Sequence, residues 1–411
     1  MKKLYIVFFL CFGLFTTNAQ HNTDITIGKI DSLNSKIVDE QRKIWIHVPE
    51  ENSDGIYQKK KYPVVYLLDG DDHFSSIVGM IQRMSSESGG ANCPQMIVVG
   101  IPNTNRWRDL TPTKAKLELP LIDSVMVANS GGGENFMSFI EKELIPYIDS
   151  KYPTDPYRMF IGHSLGGLTV MNTLINKPNL FNAYVAIDPS MSWDDTKLLQ
   201  TIKKTVLDKK YSNKRLFLGI ANTMTAGMDT ISVKKDTSED SRHIRAILEL
   251  EMHLKNDTQK RLSFKSKYYK EDDHGSVTLI AGYDAMRAIF DFYQFKFKLE
   301  YYDNPESDFA TKVESHYKQL SKEFGREIKP DEDYLNTWGY RFLNMKQFKK
   351  SEQFFKLYVK SYPQSYNAYD SLGDFYVAIE NKDLAIENYK KSVSLDKDAS
   401  SKDKLKKLEE K

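Results

Sequence analysis

Eight short apolar runs punctuate the first 270 residues: "DITIGKID", "KIWIHVP", "PVVYLLDG", "QMIVVGIP", "YRMFIG", "NAYVAIDP", "RLFLGIAN" and "SFKSKYYK". Several are continuously apolar rather than alternating, as strands buried on both faces are. Between them, stretches such as 135–151 and 165–175 read as helices. Strands alternating with helices predict a largely parallel eight-stranded sheet covered on both faces, an α/β architecture.

The pattern changes near Tyr301. Residues 307–324 read as a charged amphipathic helix, and "GREIKPDED" follows as a linker. Beyond it an internal period appears. Gly339 and Gly373 are 34 residues apart, as are Phe342 and Tyr376, Ser351 and Ala385, and Phe355 and Tyr389. Pro363 ends the first unit, while Lys397 takes the corresponding place in the second. A 34-residue period with small residues at helix crossings and aromatics between them predicts tetratricopeptide repeats. The expected organisation is a leader over 1–19, a catalytic domain over 22–300, a linking helix and linker over 301–331, and a small all-α domain over 332–411. Its units are 332–365 and 366–399, with the helix after Ser400 as cap.

The first residues carry the pattern of a secretory leader. Lys2 and Lys3 precede an apolar segment from Leu4 to Phe15, and "TTNAQ" offers small residues for cleavage after Ala19. Cys11 lies inside the apolar segment, which argues against a lipoprotein, and no later run is long enough to span a membrane. The expected location is therefore the periplasm or the exterior. Loss of the leader would leave Cys93 alone, without a disulfide partner. With 58 basic against 56 acidic residues, the charge balance offers no electrostatic attraction to nucleic acid.

The fifth apolar run ends in "GHSLGG", a serine between glycines two residues to either side. Gly162 and Gly166 keep bulk away from a tight strand-to-helix turn at Ser164, the nucleophile-elbow pattern. An elbow closing the fifth of eight strands is the element order of an α/β-hydrolase. A serine hydroxyl needs an adjacent base. Of the eight histidines, His274 alone lies in a loop just past the eighth run, "KEDDHGSV", while His243 and His253 fall in a helical stretch. The acid of the triad is expected after the seventh strand, where Asp229, Asp236, Glu239 and Asp240 stand. Asp229 is the first choice, because Gly227 could turn it back toward the sheet; a serine–histidine dyad remains an alternative. Two backbone amides must meet the developing oxyanion. Leu165 follows the nucleophile, and Asp71, after Gly70 in "YLLDGDDHF", supplies the second. Trp193 either lines the substrate pocket or packs the interior. Trp107 is expected to be structural, with Arg106, Arg108 and Asp109 in ion pairs. No histidine or cysteine spacing suggests a metal site, and this chemistry calls for no cofactor.

With these residues in place, the chain resembles the putative esterase family of α/β-hydrolases, which includes siderophore trilactone esterases, feruloyl and acetylxylan esterases, and S-formylglutathione hydrolases. The matching pieces are "VVYLLDGDDHF", "NRWRDLTPT", "FIEKELIPYIDSKYPTDPYRMFIGHSLGGL", "FNAYVAIDPSMSW" and "DDHGSV", spanning about Lys43 to Tyr293. The resemblance implies a serine hydrolase using Ser164 and His274. The expected function is an exported serine carboxylesterase acting on a siderophore lactone or on an acyl or feruloyl group of a polysaccharide. Its repeats are expected to hold a protein or peptide partner. Two alternatives stand beside it: an acyltransferase on the same fold, and a repeat-based binding protein with a vestigial hydrolase domain.

Overall fold

All eight expected strands form and join a single sheet: β1 (Lys29–Ser35), β2 (Glu40–His47), β3 (Tyr62–Leu68), β4 (Ile97–Ile101), β5 (Thr154–His163), β6 (Ala183–Ile187), β7 (Arg215–Ala221) and β8 (Ser263–Tyr269). The computed structural model describes residues 25–50, 60–86, 88, 90–115 and 124–410; the leader and its cleavage point lie outside them. The spatial order is β1-β2-β4-β3-β5-β6-β7-β8. The β1–β2 and β2–β4 pairs are antiparallel, and every pair from β4 to β8 is parallel. The central strands β3, β4 and β6 are buried throughout, whereas the edge strand β8 alternates. The α/β-hydrolase expectation holds at the level of topology.

The first strand lies later along the chain than its apolar run predicts. Its strand is "KIDSLNS", while Ile25 and Ile27 are exposed. An edge strand paired on one side buries little, so its partner sets the register. Ser35 pairs with Glu40 across a turn in which Asp39 takes a left-handed φ of 51°. The stretch 135–151 is helical as expected, but a π-helical segment at Ile140–Leu144 interrupts it just before Pro146. Proline lacks the N–H that would continue the ladder.

The principal helices are α1 (Gly70–Ser85), α2 (Leu165–Asn176), α3 (Trp193–Lys204), α4 (Arg242–Lys255), α5 (Val277–Ile289), α6 (Phe309–Phe324), α7 (Glu332–Asn344), α8 (Phe348–Ser361), α9 (Tyr366–Ala378), α10 (Lys382–Leu395) and α11 (Ser401–Glu409). One face of the sheet packs with Phe136, Phe139, Leu168 and Met171. The other packs with Ile77 and Ile81 of α1 and with Ala281, Ala285 and Ile289 of α5.

Helices α7 to α10 form two helix pairs that repeat their contacts at the expected offset. A Cβ added at Gly339 would overlap the Phe355 ring, and one at Gly373 would overlap the Tyr389 ring. Glycine is required at both places because each ring lies against the backbone of the preceding helix.

Helix α6 does more than link. Its first turns place Phe309, Ala310 and Val313 in the core of the helical region, and its last place Leu320 and Phe324 in the core beside the sheet. The Phe324 ring lies 5.0 Å from that of Tyr157 and stacks on Phe290. Just beyond it, Arg326 Nε donates to Asp155 Oδ2 at 2.9 Å, and the Asp155 side chain is fully buried. Burial pushes Asp155 above the usual carboxylate range, with the Tyr157 N–H and Arg326 pulling the other way. Removing one partner of such a pair leaves an uncompensated buried group. Arg326→Ala is therefore expected to lower stability in urea by about 3 kcal/mol at neutral pH. The loss should shrink at acidic pH, where Asp155 takes up a proton; a midpoint equal to wild type at neutral pH would refute this account of the docking. Asp155 lies near the start of β5 and Ser164 just past its end, so this contact is remote from the elbow.

Candidate active site

The elbow is a steric necessity. β5 ends at His163 and α2 begins at Leu165, leaving one residue for the whole turn. Ser164 takes φ 58° and ψ −117°, a conformation that costs a non-glycine residue about 1–3 kcal/mol. The neighbouring chain holds it there. The Ser164 N–H donates to the Ile187 carbonyl at 3.0 Å, and the Ser164 carbonyl accepts from Leu168 and Ser190. A Cβ at Gly162 would overlap the Gly166 carbonyl, and one at Gly167 would lie 2.9 Å from Pro189 Cα. Both glycines are thus fixed by close backbone approach. Among the described residues, the hydrogen bond that Ser164 Oγ makes is to Ser190 Oγ at 3.3 Å.

His274 sits in the loop between β8 and α5, as expected. Asp273 Oδ1 accepts from the Gly275 and Ser276 N–H groups and shapes the turn. The loop is tied to the end of β7, where the Asn222 N–H donates to the Asp272 carbonyl at 2.7 Å. The His274 carbonyl accepts from His163 Nε2 at 2.8 Å, and the two rings lie 4.5 Å apart. Burial, together with neighbouring His274 and His73, lowers His163 to about 4. His163 is therefore neutral near pH 7, with a proton on Nε2 to give to that carbonyl.

The carboxylate bonded to His274 is Asp188, which corrects the expectation of Asp229. Nδ1–H of His274 donates to Asp188 Oδ2 at 2.6 Å. Asp229 is exposed and closes its own turn, accepting from the Ile231 and Ser232 N–H groups, which lower its pKa. The other candidates are also occupied locally. Asp236 accepts from Ser241 Oγ at 2.5 Å, Glu239 pairs with Arg242, and Asp240 is exposed.

Asp188 follows β6 directly. Its own N–H donates to the Gly219 carbonyl of β7, and its φ of 39° swings the side chain's attachment out of the strand course. The carboxylate is fully buried. Oδ1 accepts from the Ala221 N–H at 3.0 Å, and Oδ2 accepts a second imidazole, His243 Nε2, at 2.9 Å. Burial alone would raise Asp188, but hydrogen bonds from His243, His274 and Ala221 outweigh it and hold the carboxyl well below its usual range. The group is thus an anion at neutral pH, and both imidazoles must offer it N–H. In the neutral imidazole of His274 the proton then sits on Nδ1, and Nε2 is the nitrogen with a free lone pair. The Asp188 carboxylate is thus shared between two imidazoles, and one ligand atom from each of the three residues lies within 4.8 Å of the others.

Leu165 and Asp71 both lie in the first turn of a helix, where backbone N–H groups have no intrahelical acceptor. The two helix starts are neighbours: a Cβ at Gly166 would lie 3.1 Å from Asp69 Oδ2 and 3.4 Å from Leu68 Cβ. Asp69, left-handed at φ 50° and buried, sets the course of the chain into α1. Its carboxylate accepts from Asn103 Nδ2, Arg106 Nε and Arg106 Nη2 at 2.7, 2.7 and 3.0 Å. Of the expected ion pairs around Trp107, Arg108 does bind Asp109 at 2.7 Å, but Arg106 binds Asp69. Trp193 is buried. Its Nε1–H donates to the Thr113 carbonyl at 2.9 Å and its ring lies 5.8 Å from Trp107, which is the packing role of the two expected.

Among the described residues, no helix is long and apolar enough to cross a membrane. The family model described as putative esterase matches residues 35–276. The ferri-bacillibactin esterase of Bacillus subtilis is 32% identical over 169 residues, which cover 39% of this chain and 58% of that protein. The siderophore triacetylfusarinine C esterase of Aspergillus fumigatus is 27% identical over 37% of this chain and 52% of its own length. The chain thus spans little more than half the length of these curated relatives. Among solved structures, an IroE-like serine hydrolase from Shewanella oneidensis superposes with a TM-score of 0.63 at 31% identity, covering 80% of this chain and 98% of that one. An uncharacterised protein from Capnocytophaga ochracea shares the fold at 17% identity and TM-score 0.64, over 93% of this chain and all of that one. The family model covers more than half of the sequence, and the chain belongs to the putative esterase family.

Proposed function

We propose that this chain is an exported serine carboxylesterase that works through an acyl-enzyme on Ser164. The observation that carries the reading is the ionised, buried Asp188 accepting Nδ1–H of His274 at 2.6 Å, beside a serine held in a strained elbow. With Nδ1 protonated, Nε2 is the basic nitrogen. Ser164 Oγ attacks the ester carbonyl carbon while His274 Nε2 takes its proton. The carbonyl oxygen becomes an oxyanion and is met by the N–H groups of Leu165 and Asp71. Collapse expels the alcohol, which receives the proton from Nε2, and leaves an ester on Ser164. Water then attacks that ester with His274 again as base, releasing the acid and restoring the hydroxyl. Asp188 stays ionised and keeps the imidazole in the productive tautomer. The helix pairs after residue 332, read as tetratricopeptide repeats, take no part in these steps.

The relatives named for cleaving siderophore esters make a hydroxyacid trilactone the expected substrate class. Purified protein should be offered a trilactone siderophore, a feruloylated or acetylated polysaccharide and a p-nitrophenyl ester. The highest kcat/KM is expected on the trilactone. Turnover confined to the polysaccharide would move the assignment to that class, and transfer of the acyl group to an added sugar in place of water would make the protein an acyltransferase.

A further inference from the structure

We infer that His243 is a positioning residue for the proposed triad, holding Asp188 and limiting the swing of His274. The inference rests on the esterase reading above. Asp188 carries two oxygens and three hydrogen bonds: Oδ1 serves the Ala221 N–H, and Oδ2 serves both imidazoles. His243 therefore competes for the same acceptor oxygen as the base. Its ring stands at 87° to that of His274 with centroids 5.2 Å apart, so it also walls one side of the imidazole. His243 itself is well anchored. It stands in the first turn of α4, next to Arg242, which pairs with Asp195 of α3 and with Glu239, while Ile244 and Ile247 behind it are buried. The titratable and charged groups around it are Asp188, His274, His163 behind His274, and the Arg242–Asp195–Glu239 cluster on its flank.

Two consequences follow from a shared oxygen. Donation from His243 fixes the carboxylate plane, so its loss lets Asp188 turn and His274 drift from the serine. It also draws charge from Oδ2, so its loss strengthens the hold of Asp188 on a protonated His274. The first lowers kcat with little change in KM, because it acts on the orientation of His274 through Asp188. The second moves the acid limb of the pH–rate profile to higher pH. A residue that only packed would produce neither.

The test compares His243→Phe, which keeps a ring without a donor, with His243→Gln, which keeps an N–H donor without a ring. The Phe variant is expected to lose kcat by about tenfold, the order of one charge-assisted hydrogen bond. Its KM should stay within about twofold and its acid limb should move up. The Gln variant should recover most of the rate and the wild-type limb. A second readout does not need turnover: the low-field proton resonance of the His274 Nδ1–H should shift in the Phe variant and return in the Gln variant. Wild-type kcat and pH profile in the Phe variant, or an unmoved resonance, would overturn the inference. Failure of the esterase reading looks different: wild-type protein itself would then hydrolyse none of the esters offered, or would do so no faster than Ser164→Ala.

Discussion

Ser164→Ala should remove ester hydrolysis while leaving the fold in place. The hydroxyl is the proposed nucleophile, and losing the nucleophile of a triad costs on the order of a millionfold in turnover. The backbone does not depend on it. The strained turn is held by the Ser164 N–H to Ile187 and by the Ser164 carbonyl, both of which alanine retains, and Oγ contributes one 3.3 Å contact to Ser190. Thermal unfolding should therefore match wild type. A fluorophosphonate probe should label wild-type protein and fail on the variant. Equal labelling of the variant, or retained hydrolysis, would sink the assignment of Ser164. Ser190 is the control to include, because its hydroxyl is the one nearest the proposed nucleophile.

The second large effect separates two carboxylates. Asp188→Asn keeps the shape but replaces an acceptor-only group with an amide that can also donate. His274 Nδ1–H then loses its anionic partner, and an amide N–H turned toward the ring favours the wrong tautomer, with the proton on Nε2. The comparable change in serine proteases costs about ten-thousandfold in kcat. The buried site adds a structural penalty, since Ala221, His243 and His274 all donate to this one group. Circular dichroism should accompany the assay, so that unfolding is told apart from a dead but folded enzyme. Asp229→Asn is expected to stay within about twofold of wild type, because its carboxylate serves a surface turn. The reverse ranking, with Asp229→Asn the weaker enzyme, would restore the carboxylate after β7 to the triad.

The lesson of that pair is about where periodic information stops. The centre of the sheet was legible because β3, β4 and β6 are continuously apolar, as strands buried on both faces are. The elbow was legible because a Cβ at Gly162 would strike the Gly166 carbonyl, and that demand for glycine shows in the letters themselves. The 34-residue offset was legible for the same reason: Gly339 and Gly373 each lie under an aromatic ring. His274 could be reached by elimination, since one loop histidine followed the last strand.

Asp188 stood in plain sight at the end of "NAYVAIDP", yet nothing in the string said which strand end faces the β8–α5 loop. β6 and β7 are parallel neighbours, so a carboxylate after either one emerges at the same end of the sheet. The choice falls to backbone direction at one residue, the φ of 39° at Asp188, and a local pattern does not encode it. The absence of an acid directly after β7, in "ANTMTAGMD", was the available hint. His243 lies on a helix, as its sequence predicts, and the first turn of α4 points it at Asp188, a meeting that the helical pattern does not encode. The charges beside Arg106 in the sequence predict a local ion pair, whereas Arg106 binds Asp69, 37 residues earlier. The charge pattern of α6 reads as a connecting helix, whereas its two ends serve two different cores.

The sequence by itself determined the strands, the turn at Ser164, the loop that carries His274 and the 34-residue offset, because each rests on residues near in the chain or on a steric demand at one position. Only the tertiary structure decided which carboxylate meets His274, which arginine braces Asp69 and where α6 docks. Those are meetings between segments far apart in the chain, and side-chain chemistry alone permits several partners for each. Burial then makes the selected partner matter, since an anion as enclosed as Asp188 is stable only where donors converge on it.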